Sequence, residues 1–228
     1  MIEATAIRLL TFRTGTAGPV VDLALRDDAL PYLETQHGLV DVFAGRHGVA
    51  GIDERILVTT WQTRSAMVAA LGDDDVARLL PGHVEDIADP RVDVYDFAFG
   101  FRIDRDRPPR VLRIVRGEVR GDALTAFADD LHAVALQAAQ MADGTIVFNL
   151  GIRRPAAFAA VSVWPDWTAI EQATGASVHD TSAILAPGRV VSARATHFEI
   201  LGGEPALNHE DDDARETAAP SGERSSSG

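Results

Sequence analysis

The sequence predicts an α+β fold built from a β-α-β-β-α-β unit that occurs twice, and three observations carry the prediction. An apolar strand interrupted by arginine occurs as Ala6-Ile7-Arg8-Leu9-Leu10 and again as Val111-Leu112-Arg113-Ile114-Val115. A strand ending in tryptophan follows in each half, as Leu57-Val58-Thr59-Thr60-Trp61 and Ala160-Val161-Ser162-Val163-Trp164. Four anchors also keep their order and nearly their spacing. Arg8 to Gly38 spans 30 positions and Arg113 to Gly144 spans 31; Gly38 to Trp61 spans 23 and Gly144 to Trp164 spans 20. Trp61 to Phe97 spans 36 and Trp164 to Phe198 spans 34, a pairing that sets His197 against Asp96. Such an element order is the ferredoxin-like arrangement. The expected bounds are a first repeat over 1–104, a linker over 105–110, a second repeat over 111–202 and a disordered acidic tail over 203–228.

Taken in order, Ile7 to Phe12 reads as a strand that Gly15 and Gly18-Pro19 turn. Val20 to Gln36 carries Val21, Leu25, Ala29 and Leu33 at helical spacing. Pro31 should kink that helix or start a second short one, because its ring clashes with the preceding turn. Gly38 reads as the helix stop. Leu39 to Ala44 and Arg55 to Trp61 read as strands, Thr63 to Leu71 as a short helix capped by Thr63, and Arg91 to Gly100 as a fourth strand. Asp104-Arg105-Asp106-Arg107-Pro108-Pro109 has the charge and proline content of a boundary. Beyond it, Val111 to Val115 is a strand. Asp122 to Gln140 is a helix with Leu124, Phe127, Leu131, Val134, Ala138 and Met141 in one stripe. Thr145 to Ile152 and Phe158 to Trp164 are strands, Asp166 to Thr174 a short helix, and Arg189 to Leu201 the last strand.

Composition narrows the classes of function. Acids outnumber bases 34 to 21, a formal charge of -13, which opposes attraction to nucleic acid or anionic membranes. Outside the tail the balance is 27 acids to 19 bases. No apolar run approaches the roughly 20 residues of a membrane span. No basic-then-apolar leader opens the chain, so a cytoplasmic location is expected. With no cysteine there is no disulfide, thiolate nucleophile or cysteine metal site. His83 with Glu85 and Asp86, or His209 with Asp211 to Asp213, has no convincing metal spacing, and phosphate loops and nucleophile elbows are absent.

A few residues stand out against this background. Arg8 and Arg113 sit in strands central to their sheets, where an unpaired guanidinium is costly. Each either forks a carboxylate, enolate or phenolate, or closes an internal salt bridge. Trp61 and Trp164 are a ligand-stacking wall or a core anchor. Asn149 lies in an apolar strand where the first half has Phe43, so its amide needs a partner, from the protein or from a ligand. His197 on the last strand has the intrinsic pKa of a general base.

These residues resemble the dimeric α+β barrel superfamily, in particular antibiotic-biosynthesis-monooxygenase-like domains, over nearly all of 6–202. The carriers are the apolar first strand, Leu30-Pro31-Tyr32-Leu33 with His37-Gly38-Leu39, and Val58-Thr59-Thr60-Trp61 before a short helix. In the second half they are Ala142-Asp143-Gly144 and Ser162-Val163-Trp164-Pro165-Asp166. The resemblance implies that the two sheets pack face to face as an intrachain barrel, a pseudo-dimer with helices outside. It implies a small apolar or aromatic ligand and a cofactor-independent monooxygenase acting on an aromatic or polyketide-like substrate. The alternatives are a haem-binding redox protein, with His132, His179 or His197 as axial candidates, and a noncatalytic binding or stress-response module. Two departures stand out. Where relatives place an asparagine four residues before the tryptophan, this chain has Leu57 and Ala160. The haem-degrading pattern fails too, since neither first strand has Asn and neither short helix has His.

Overall fold

The computed structural model describes residues 3–47, 51–72, 75–103, 107–120, 123–140, 144–175 and 189–202. The expected tail, Met141 of the helix stripe, His179 and His209 therefore lie outside the described residues. In chain order the elements begin with β1 (Ala6–Arg13), α1 (Gly18–Ala24), α2 (Leu30–Glu34), β2 (Leu39–His47) and β3 (Arg55–Trp61). α3 (Arg64–Leu71), α4 (Asp75–Leu79), β4 (Ala88–Arg102) and β5 (Val111–Val119) follow. α5 (Leu124–Ala139), β6 (Val147–Arg153), β7 (Ala157–Trp164), α6 (Trp167–Thr174) and β8 (Val190–Ile200) complete the described elements.

The eight strands close into one antiparallel barrel in the order β1-β3-β2-β8-β5-β7-β6-β4. β4-β1-β3-β2 forms one arc and β8-β5-β7-β6 the other, with the same serial order in each. Two seams join the arcs, β2 with β8 and β4 with β6. The seams match in detail. Gly45 pairs with Ile200 at one and Gly151 with Phe97 at the other. A Cβ on Gly45 would lie 2.8 Å from the Phe198 Cβ, and one on Gly151 2.6 Å from the Tyr95 Cβ. Glycine is required at both places because the crossing strands leave no room for a methyl group.

Register corrects one anchor. Tyr95 faces Ile7 as Phe198 faces Leu112, so Tyr95 and not Phe97 is the counterpart of Phe198. Tyr95 follows Trp61 by 34 positions, the spacing of the second half. His197, opposite Arg113, then corresponds to Val94, opposite Arg8, and not to Asp96.

Period-two alternation sorts the side chains into an interior and an outer layer. Ile7, Leu9, Val58, Leu112, Ile114, Val161 and Phe198 fill the barrel. Ala6, Leu10, Phe12, Leu57 and Trp61 face outward against Val21, Leu25 and Leu33 beneath the first helices and Leu71 of α3. Val115, Ala160 and Ala195 face outward against Phe127 and Leu131 of α5. Among its described side chains, the α5 stripe departs from expectation at Val134. Val134 is 59% exposed and Ala135 takes the buried place, because a 3.6-residue period carries i+4 from Leu131 onto the sheet. Pro31 produces the second helix rather than a kink. A π-helical stretch, Leu25–Ala29, bonds Leu30 N–H to the Leu25 carbonyl and delivers proline into the first turn of α2.

Local chemistry fixes the ends. Thr63 accepts from Ala66 N–H at 3.0 Å and Asp166 from Ala169 N–H at 2.8 Å, capping α3 and α6. Gly38, at φ +81°, stands where a Cβ would come within 2.8 Å of the Ala66 Cβ, so it sets the approach to α3 as well as ending the helix. Arg55 binds Asp22 at 2.7 Å and Asp53 at 2.9 Å, while Asp53 accepts from the Thr14 hydroxyl at 2.8 Å and the Thr14 amide at 3.0 Å. A β-bulge between Phe97 and Phe99 turns β4 over. Tyr95 and Phe97 point into the barrel, whereas Phe99 and Phe101 pack outside against Phe148, under α5.

Candidate functional site

Arg8 and Arg113 face the helices, because their strand neighbours Ile7, Leu9, Leu112 and Ile114 fill the barrel. Both tryptophans lie in the same outer layer. Arg8 stands between Thr59 on β3 and Val94 on β4 and is 2% exposed. Burial pulls its guanidinium down to about 10, so it remains cationic at neutral pH. Thr59 lies two residues before Trp61 on the same strand face, and both are 0% exposed. Neither the Thr59 hydroxyl nor the Trp61 indole N–H has a hydrogen-bond partner. A buried polar group left so typically costs about 1–3 kcal/mol. Met67, Ala70 and Leu71 of α3 and Val76 and Leu79 of α4 supply apolar packing around Trp61.

The second half solves the same problem internally. Arg113 stands between Ser162 and His197. The Trp164 indole N–H donates to the Ser162 hydroxyl at 2.9 Å, which in turn donates to the Arg113 carbonyl at 3.4 Å. Ala169 and Ile170 of α6 pack on Trp164, and Trp167 meets the His197 ring edge-on at 5.9 Å between centroids. Thr59 with Trp61 and Ser162 with Trp164 are therefore equivalent pairs in opposite states: the first offers two polar groups and the second consumes them.

Asn149 is not with the tryptophans or with His197. It points into the barrel, where its amide donates to the Thr60 hydroxyl at 3.3 Å and to Asp41 at 3.5 Å. Arg102 binds the other oxygen of Asp41. Sequence reasoning does not separate Asn149 from His197, which alternation puts on opposite faces of the sheet. It also passed over Thr59, although the same alternation read back from Trp61 identifies it. His132 packs against Phe99 at 4.5 Å, and His83 pairs with Asp86 at 3.0 Å. Among the described residues no group of three His, Cys, Asp or Glu side chains could hold a metal. No described helix is long and apolar enough to cross a membrane.

An acceptor oxygen placed at Thr59 and Trp61 would satisfy the indole N–H and the hydroxyl together, with the charge of Arg8 nearby in a dry apolar layer. Such an arrangement favours an oxyanion over its neutral acid.

No protein-family model matches the chain, and no curated protein does. Solved structures match it over most of its length. A candidate monooxygenase from Fusobacterium nucleatum subsp. nucleatum superposes with a TM-score of 0.67 at 12% identity, covering 88% of this chain and 94% of that one. An anthrone oxidase-like protein gives 0.56 at 15% identity over 90% and 97%. A candidate chlorite dismutase gives 0.55 at 13% over 86% and 95%. At 12–15% identity these likenesses show a shared α+β barrel fold.

Proposed function

We propose that this protein binds a small, mostly apolar or aromatic molecule through an anionic oxygen in the sheet-to-helix layer of its first half, and oxygenates it without a cofactor. The observation that carries the reading is the pair of partnerless polar groups, Thr59 Oγ1 and Trp61 Nε1, beside buried Arg8, set against their mutually bonded counterparts in the second half. The monooxygenase and anthrone oxidase-like names of the structural neighbours favour the same chemistry. Arg8, Thr59 and Trp61 would stabilise the enolate or phenolate of an acidic substrate. The substrate carbanion reduces dioxygen; one oxygen atom becomes a carbonyl on the former CH2 carbon and the other leaves as water with the two displaced hydrogens.

The chain is read here as two ferredoxin-like repeats, 1–104 and 111–202, joined by 105–110, an intrachain pseudo-dimer that takes the place of two subunits. The shared strand order of the two arcs and the matched glycines at the seams support it. Among the described residues of the first half no histidine is fully buried, so no buried imidazole stands with Arg8, Thr59 and Trp61 as a haem ligand. The buried imidazole of His197 belongs to the second half and rests on Trp167.

Oxygen uptake with an anthrone- or hydroquinone-type substrate tests the proposal. Wild-type protein should consume one dioxygen per substrate, Arg8→Met should lower the rate about a hundredfold, and Arg113→Met should leave it nearly unchanged. Equal losses at both arginines, or no uptake, would count against it. A Soret band on adding haemin that disappears in His197→Ala would replace it with the haem reading.

A further inference from the structure

The barrel interior has a cationic end that the reaction proposed above does not use. Arg116 shares the interior face of β5 with Ile114. Its register neighbour on β7 is Ala159, which pairs with Gly151 on β6, and Gly151 abuts Tyr95. Tyr95 takes the space over Gly151, and the small side chain of Ala159 leaves a shallow floor beside Arg116. The Arg116 Nε and Nη2 atoms are shut off from solvent and have no hydrogen-bond partner. Those two N–H groups form the edge of guanidinium that binds an oxyanion with two parallel hydrogen bonds.

The surroundings add positive charge. Arg153 stands 5.0 Å over the Tyr95 ring and binds Asp93 at 2.8 Å. Arg194 lies directly opposite Arg116 on β8 and is exposed. Burial, with Asp93, raises the Tyr95 hydroxyl above its ordinary range against the opposing charges of Arg153 and Arg116. Asp93 is committed to Arg153. Glu118, two residues beyond Arg116 on the same face, is exposed and makes no ion pair among the described residues. In a chain of net charge -13, Arg116, Arg153 and Arg194 occupy neighbouring positions here, with Asp93 engaged by Arg153 and Glu118 at the exposed rim.

The opposite wall of the barrel, at the same end, shows what this arrangement replaces. The counterparts of Arg116, Ala159, Tyr95 and Arg153 are Thr11, Ile56, Phe198 and His47, and His47 meets Phe198 edge-on at 5.7 Å. There Ile56 stands in place of Ala159 and Thr11 in place of Arg116, while Arg91, opposite Thr11, is the counterpart of Arg194. We infer that the Arg116 end of the barrel is a second binding site, for an oxyanion of carboxylate or phosphate type, held on the Arg116 fork with Arg153 and the Tyr95 hydroxyl beside it.

Titration calorimetry on the full chain, with inorganic phosphate and with benzoate at matched ionic strength, tests this and separates the two sources of oxyanion. One of the two should bind with one-to-one stoichiometry. Arg116→Gln should weaken that binding about tenfold or more, and Arg13→Gln, a change to an exposed arginine, should not. Ala159→Ile fills the floor as Ile56 does on the opposite wall and should also abolish binding while every charge remains, which decides the matter if Arg116→Gln fails to fold. No binding of either anion to wild type, or binding undiminished in Ala159→Ile or in folded Arg116→Gln, would overturn the inference. Oxygen uptake is not needed for any of these readings, so they stand or fall apart from the oxygenase proposal.

Discussion

Thr59→Val keeps the shape of a fully buried side chain and deletes a hydroxyl that the protein leaves unmatched. The ligand-free chain should therefore gain about 1 kcal/mol in urea unfolding, while affinity for an anionic aromatic ligand falls. Trp61→Phe and Trp164→Phe make a sharper comparison. Both lose similar ring area, but only the second breaks a hydrogen bond. Trp164→Phe should cost about 1 kcal/mol more in the same assay, and only Trp61→Phe should weaken the ligand. At this scale the sequence makes Arg8, Arg113 and the tryptophans visible, since a charge in an apolar strand and a repeated aromatic both stand out. It does not reveal that Trp164 is satisfied and Trp61 is not. That difference turns on Ser162 against Thr59, two hydroxyls of nearly equal character whose rotamers are set by packing from the helices above. Nor is the facing of Asn149 visible without knowing which side of its strand is enclosed.

Strand pairing transmits single residues into geometry. Gly151→Ala would force a methyl to within 2.6 Å of the Tyr95 Cβ, and Gly45→Ala to within 2.8 Å of the Phe198 Cβ. Each should cost about 1–3 kcal/mol in denaturant unfolding, as overpacking does. Asp53 ties the end of β1 and the start of α1 to β3. Burial raises its carboxyl, but the Thr14 hydroxyl, the Gly15 and Thr14 amides and Arg55 outweigh that and hold it below the ordinary range. A depressed folded pKa contributes stability that is complete above the unfolded value of about 3.9 and is lost as pH falls through the folded one. Asp53→Asn should lower stability at pH 7 and flatten the acid limb of a pH-stability curve below about pH 4. The order of the elements can be read from periodicity, and the bounds of β3 agree residue for residue. The bulge between Phe97 and Phe99 cannot be read so, because an extra residue in a strand of phenylalanines leaves the composition unchanged while reversing its faces.

Across the whole molecule, the interior face of each arc is covered only by the other arc. Residues such as Leu9, Val58, Ile114 and Val161 lose their apolar surroundings together when either arc opens. Heat or urea should therefore unfold the barrel in one transition, with tryptophan fluorescence and far-ultraviolet dichroism coincident; two separated transitions would show that the arcs are independent units. Closure of the ring has a further consequence. An open sheet ends in a row of unpaired amides and carbonyls, on which another extended chain can grow as an added strand. Here β2 meets β8 and β4 meets β6, so both ends of each arc are occupied over their paired stretches. Two arcs in separate chains would have to find each other before those edges were hidden. Carried in one chain, each shields the other over those paired stretches at any dilution.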